Sequence, residues 1–208
     1  MLMYLIIIFV AMLTVSLFNW LVLGWVFSSA LFWVSVTTGI EIIITILLAI
    51  LTGLCVPKKI YNEHKIYAVS KRELNFYHVL HINAWKDHVC ELGFLGGFSK
   101  KKVVAPNDPT YVDRFILEIN KGMFMHAIGT LGSFLVLFVP VPGFWSISFV
   151  VAWVGAILNI LPLMVLRYNK PRLLMLKTRL MRNQSKPVAV SKGETITEDN
   201  TKVKNEQK

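Results

Sequence analysis

Every Lys and Arg in this chain falls in one of two blocks, 11 of the 22 between residues 57 and 121 and 11 between residues 167 and 208. The remaining stretches, residues 1–56 and 122–166, carry one carboxylate, Glu41, and one histidine, His126. Such strict segregation is what hydrocarbon imposes, because each charge placed in it is costly. The chain is 55% hydrophobic and 16% charged, where a soluble domain has ~45–50% and ~25%. With two cysteines it is also no disulfide-stapled secreted domain. A small all-α integral membrane protein is the class that remains.

A spanning helix needs ~20 residues at 1.5 Å each, so each charge-free stretch holds two. The expected spans are residues 2–23, 30–54, 122–139 and 144–166, forming two hairpins that turn near Gly24 and at Pro140-Val141-Pro142-Gly143. The first apolar run has no preceding positive charge and outlasts a signal-peptide core, so it is expected to stay in the mature protein. Neither turn carries Lys or Arg, so the positive-inside rule puts both basic blocks and both termini in the cytoplasm of a multi-pass cell-membrane protein. Trp20, Trp25, Trp33, Trp145 and Trp153 fall within or near the expected helix ends, as in an aromatic belt, with packing an equal alternative for Trp33 and Trp153.

Residues 57–121 mix 11 basic with 7 acidic groups and several aromatics, which predicts a folded cytoplasmic region. Residues 62–80 read as a helix against the membrane. Asn107-Asp108-Pro109 reads as a helix start that runs through Phe115 and Glu118 into the third span. After residue 166, an interfacial basic segment (167–182) is expected, with a helix over residues 172–182 opened by Pro171 and anchored to membrane lipids. Residues 183–208 have almost no large apolar side chains and read as a disordered tail.

No metal-ligand spacing, P-loop or nucleic-acid motif is present; the glycine-rich residues 92–98 lack the Lys-Ser/Thr of a phosphate loop. No bound cofactor is expected. His64, His78, His81 and His88 read as surface residues, and Cys90 as a weak candidate nucleophile without a base. His126 is the imidazole at membrane depth and suits a general base toward a hydroxyl; a structural histidine satisfied by a neighbouring helix is the equally weighted alternative. Glu118, Gly122 and His126 share one broad helix face, but eight residues span ~12 Å, so Glu118 and His126 would flank a substrate instead of bonding each other. Arg167-Tyr168-Asn169-Lys170-Pro171-Arg172, just past the last span, offers forked donors and orientable polar groups for an anionic or polar head. Trp85-Lys86-Asp87 and Lys100-Lys101-Lys102 suit a phosphorylated donor, though lipid headgroups attract lysines equally.

Taken in order, three segments resemble the glycosyl-4,4'-diaponeurosporenoate acyltransferase family: Trp85-Lys86-Asp87, the run EINKGMFMH from Glu118 to His126, and NILPLMVLRYNKPRL from Asn159 to Leu173. Cys90, Met123, Ala127 and Leu166 depart from the family pattern, which has proline, glutamate, tryptophan and glutamine there. The resemblance implies transfer of a fatty acyl group to a hydroxyl of a glycosylated lipid, a carotenoid glycoside or related glycolipid. The donor would be acyl-CoA or acyl carrier protein, and the acceptor lipid-linked. On this reading His126 deprotonates the hydroxyl and Glu118 orients a substrate. Lys86 and Arg167 stabilise negative charge, while Trp85, Asp87, Asn159, Tyr168, Asn169 and Arg172 bind substrate. The rivals are a four-helix small-molecule or lipid transporter coupled through Glu41, an intramembrane carboxylate and so functional by default, and a scaffold for other membrane enzymes.

Overall fold

A computed structural model describes residues 2–62, 65–89 and 103–184. It contains helices and no strands among these residues: α1 (Leu2–Leu21), α2 (Phe27–Cys55), α3 (Lys71–Val79), α4 (Ile82–Trp85), α5 (Pro109–Gly132) and α6 (Phe149–Gln184). Four of them, α1, α2, α5 with its extension and α6 with its first turn, are long and apolar enough to cross a membrane. Their outer faces are rich in exposed Leu, Ile, Phe and Trp, as lipid contact requires.

α5 begins where the sequence places it. The Asp108 side chain accepts from the Thr110 N–H at 2.9 Å and Pro109 fills the first turn, the arrangement that satisfies orphan amides at a helix start. Beyond Gly132 the expected third span tightens into a 3-10 segment, Ser133–Phe138. The turn at Gly143 has φ 77°, a conformation glycine adopts without a Cβ clash. Ser146 Oγ then donates to Asn19 Oδ1 at 2.7 Å, tying this turn to the end of α1.

Two elements differ from expectation. Residues 62–80 do not form one helix: 3-10 turns at Lys58–Tyr61 and Lys65–Tyr67 precede the short α3. Its cap is Ser70, whose side chain accepts from the Glu73 N–H, half of a Ser-x-x-Glu capping box. The interfacial helix over residues 172–182 is likewise not a separate element. α6 runs unbroken through Pro162 and Pro171, and Leu173, Leu174, Leu176 and Leu180 pack on Val112, Phe115, Ile116 and Ile119 of α5. That burial favours continuing the helix and offsets the hydrogen bonds the prolines remove. Pro162 leaves the Leu158 carbonyl without its helical donor, and Tyr4 OH of α1 donates to it at 3.5 Å. Of the expected tail, Asn183 and Gln184 end α6; the rest lies outside the described residues, as do His64, Cys90, residues 92–98 and Lys100 to Lys102.

α5 and α6 are antiparallel at close range. A Cβ on Gly129 would meet Asn159 Oδ1 at 2.5 Å, a Cβ on Gly155 would strike Glu41 and Ser133, and Asp113 pairs with Lys177 at 2.9 Å. Glu41 Oε1 accepts from Ser133 Oγ (2.9 Å) and Thr45 Oγ1 (3.1 Å), so this buried carboxyl fastens α2 to the end of α5 against Gly155 of α6. Polar contacts between close-packed helices are a membrane protein's substitute for hydrophobic association. Gly155→Ala is therefore expected to destabilise the protein by ~1–3 kcal/mol, the usual range for overpacking, read as a lower unfolding midpoint in mixed micelles.

Candidate active site

The polar groups collect at the end of the bundle where α6 leaves its apolar stretch. Arg167 is the anchor. Its guanidinium grips the Glu73 carboxylate through Nε and NH2, the latter at 2.8 Å, and donates to the carbonyls of Ile66 (3.1 Å) and Ala68 (3.0 Å). Tyr77 OH donates to the same carboxylate. Planar, five-donor geometry is what lets one arginine hold a carboxylate and two carbonyls together. The hydrogen bond from Arg167 holds the Glu73 carboxyl below its ordinary range, with Tyr77 and the Ser70 amide adding to the effect against desolvation. Burial and the neighbouring carboxylate push the Tyr77 phenol well up, so it stays a donor.

With its donors engaged in this way, Arg167 fastens residues 66–77 to α6. The segment then presents α4 to the next residue of α6, Tyr168. His81 takes a left-handed conformation, φ 50°, to turn the chain from α3 into α4, uncommon for a non-glycine residue. Asn83 Nδ2 then donates to Tyr168 OH at 2.9 Å, and Arg172 NH2, one turn along α6, donates to the same oxygen at 3.2 Å. Lys86 Nζ stands 5.7 Å and Arg172 Cζ 5.2 Å from the Tyr168 ring centre, within the range of cation–π attraction. The His78 ring meets it edge-on at 5.7 Å. Trp85 packs at the margin with Nε1 donating to the Leu80 carbonyl at 3.0 Å.

Tyr168 is 3% exposed, and its oxygen accepts two hydrogen bonds. Its own hydroxyl hydrogen is left to donate, and accepted bonds make a hydroxyl a stronger donor. Lys86 and Arg172 make no ion pair among the described residues. The cluster is thus a phenolic donor beside two cations, suited to an oxygen that gains negative charge.

The expected site residues divide into two groups. Lys86, Trp85, Arg167, Tyr168 and Arg172 come together. Asn169 is half-buried beside them in sequence, and Asp87 is exposed near the end of the same segment. His126, Glu118 and Asn159 belong instead to the α5–α6 side. His126 is half-buried in the stripe of α5 that includes Ile119, Met123 and Gly129, and Asn159 packs on Gly129 while donating to the Gly155 carbonyl at 3.1 Å. Tyr168 follows Asn159 by nine residues, which at ~100° per residue puts the two on opposite sides of α6. The unbroken helix from Pro109 to Gly132 keeps Glu118 and His126 ~12 Å apart along its axis.

Several groups in these clusters carried no clear sequence signal. Glu73 and Tyr77 belong to the Arg167 clamp, Asn83 and His78 to Tyr168. Lys170 is buried with its ammonium 5.3 Å from the Tyr67 ring centre. Asn120, also buried, donates to the Tyr61 carbonyl at 2.8 Å beside a cleft of about 290 Å3 rimmed by Asp113 and Lys177. One signal was legible: Ser70-Lys71-Arg72-Glu73 is a capping-box pattern that marks the start of α3.

Comparison with known proteins gives a family match. Residues 57–179, more than half of the chain and all of both clusters, match the family described as glycosyl-4,4'-diaponeurosporenoate acyltransferase. No curated protein and no solved structure matches.

Proposed function

This chain belongs to the glycosyl-4,4'-diaponeurosporenoate acyltransferase family, and on that premise we propose that it transfers a fatty acyl group from a thioester to a hydroxyl of a glycosylated lipid at the cytoplasmic face of the cell membrane. The observation that carries the reading is the convergence of Asn83, Lys86 and Arg172 on Tyr168 at the margin of the apolar spans. A glycolipid would keep its tail in the bilayer and its sugar at this level, while the thioester arrives from water. Two hairpins with both termini in the cytoplasm, as the distribution of Lys and Arg suggests, would set the cluster on that side.

In this proposal an imidazole takes the proton from the acceptor hydroxyl, and the oxygen attacks the thioester carbonyl. Tyr168 donates to the oxyanion, with Lys86 and Arg172 lowering its energy. The carbon–sulfur bond breaks, and the departing thiolate recovers the proton from the imidazolium. The imidazole in contact with Tyr168 is His78, so it is the base of the first reading. A second reading keeps His126 as base, with Glu118 orienting a substrate, because it lies in the apolar part of α5 on the stripe facing α6. Arg167 acts as a positioning residue through Glu73, and Trp85, Asp87, Asn159 and Asn169 shape the surroundings of the substrates.

Substitution separates the two readings. Purified protein in nanodiscs containing a glucosylated acceptor lipid is assayed with a fatty acyl thioester, and ester formation is followed by mass spectrometry. The first reading expects His78→Gln to lower kcat by ~10²–10⁴, the usual yield of a general base, and His126→Gln to stay within severalfold of the wild type. The reverse pattern establishes the second. Full activity in both variants removes a histidine base from the mechanism. The transporter reading has less support, since the Glu41 carboxyl accepts from Ser133 and Thr45 inside the helix packing.

A further inference from the structure

The end of α6 carries on from Arg172 of the proposed site into a stripe whose other members, Met175, Arg179 and Arg182, acyl transfer itself does not use. Arg172, Met175, Arg179 and Arg182 follow one another at spacings of three, four and three residues, so they lie along one face of the helix, continuous with Tyr168 one turn earlier. All four are exposed, Met175 to 65%. Lys177 lies on the other side, paired with Asp113 of α5. No carboxylate occurs between Glu118 and Glu194, so the stripe includes no acidic residue of α6.

We infer that this stripe is the docking surface for an acidic carrier protein that delivers the acyl thioester to Tyr168; the inference rests on the acyltransferase reading and assigns its donor. Three observations favour a protein over a lipid surface or a free nucleotide. The stripe is long: ten residues from Arg172 to Arg182 rise ~15 Å, about the length of three turns of a facing acidic helix. It also runs on well past the apolar stretch of α6. Arg182 is ~24 Å along the helix from Leu166, the last residue of the apolar run, whereas a headgroup layer is only ~5–8 Å thick and its potential decays within ~8 Å. Finally, an exposed methionine is set among the arginines, a pairing of residue types enriched at protein interfaces and of no benefit to a nucleotide phosphate. A carrier seated here would have its arm directed along the stripe toward Tyr168.

The test uses the full-length protein in nanodiscs of zwitterionic lipid and, as probe, an acidic acyl carrier protein charged with a myristoyl thioester. Binding of the carrier is measured directly, and ester formation separately. Wild-type binding is expected to weaken steeply between 50 and 300 mM salt, as opposed charges at an interface do. The double variant R179E/R182E is expected to raise both the dissociation constant and KM for the carrier at least tenfold and to leave kcat within twofold. A Met175→Glu variant, which alters the apolar contact in the same stripe, is expected to weaken binding as well. Binding that is unchanged in R179E/R182E overturns the inference. So does a charge-reversal effect that appears only when anionic lipid is added, which would make the stripe a membrane anchor. If no ester forms from any donor, the acyltransferase reading fails while carrier binding still decides the docking surface.

Discussion

Tyr168→Phe is expected to lower acyl transfer by about 100-fold while costing only ~1 kcal/mol of stability. The large loss follows from removing the hydroxyl that Asn83 and Arg172 hold, on a ring that Lys86 flanks; deleting a single donor to a developing oxyanion costs ~10²–10³ in kcat. The small loss follows from what remains. Asn83 and Arg172, which donate to that oxygen, are both exposed and can turn to water, so neither becomes a buried unsatisfied donor and the net loss is that of ordinary hydrogen bonds. The ring stays, with its packing against Tyr77 and Ile82. A fall in kcat with an unfolding midpoint near that of the wild type separates this role from a structural one. Equal activity would leave Tyr168 as a packing residue.

Arg167→Leu is expected to have the opposite signature, a large loss of stability with activity falling as a consequence. It strips the partner from a carboxylate whose side chain is 22% exposed and leaves two carbonyls without donors. Breaking a buried pair costs ~3–5 kcal/mol; with this much water access we expect ~2–3 kcal/mol. Arg167→Leu combined with Glu73→Leu should recover part of that, since the orphaned charge is then gone. The pH dependence has a definite sign. Glu73 has its folded pKa lowered, so the clamp's contribution is fully present above the unfolded carboxyl's ~4.3 and is lost as pH falls through the lower folded value. Limited proteolysis of residues 65–79 should therefore accelerate in acid below pH ~4 in the wild type. In Arg167→Leu it should already be fast at neutral pH.

These contacts also show what was and was not legible in the chain. The four apolar helices could be read because hydrocarbon excludes charge, and that exclusion is written directly into the positions of Lys and Arg. The start of α5 could be read because Asp108 and Pro109 satisfy local needs of a helix terminus. Pro171 misled for the same reason: proline suits a first turn, but Leu173, Leu176 and Leu180 gain more by packing on α5 than a new helix would gain by starting there. The Glu73–Arg167 pair joins residues 94 apart, and nothing in local spacing announces such a partner. Which face of α6 a residue occupies was within reach of the helical period, yet His126 and Tyr168 could be assigned to different sides only once α5, α3 and α4 were seen on opposite sides of α6.

The most direct test of the account is ester formation itself, with the wild-type chain in zwitterionic nanodiscs, a glucosylated acceptor lipid and a myristoyl thioester presented on acyl carrier protein. The account predicts an acylated glycolipid that accumulates with time, is abolished by omitting the thioester and falls about 100-fold in Tyr168→Phe. An acceptor lipid that stays unmodified with every thioester supplied, in protein shown to be folded, would contradict it.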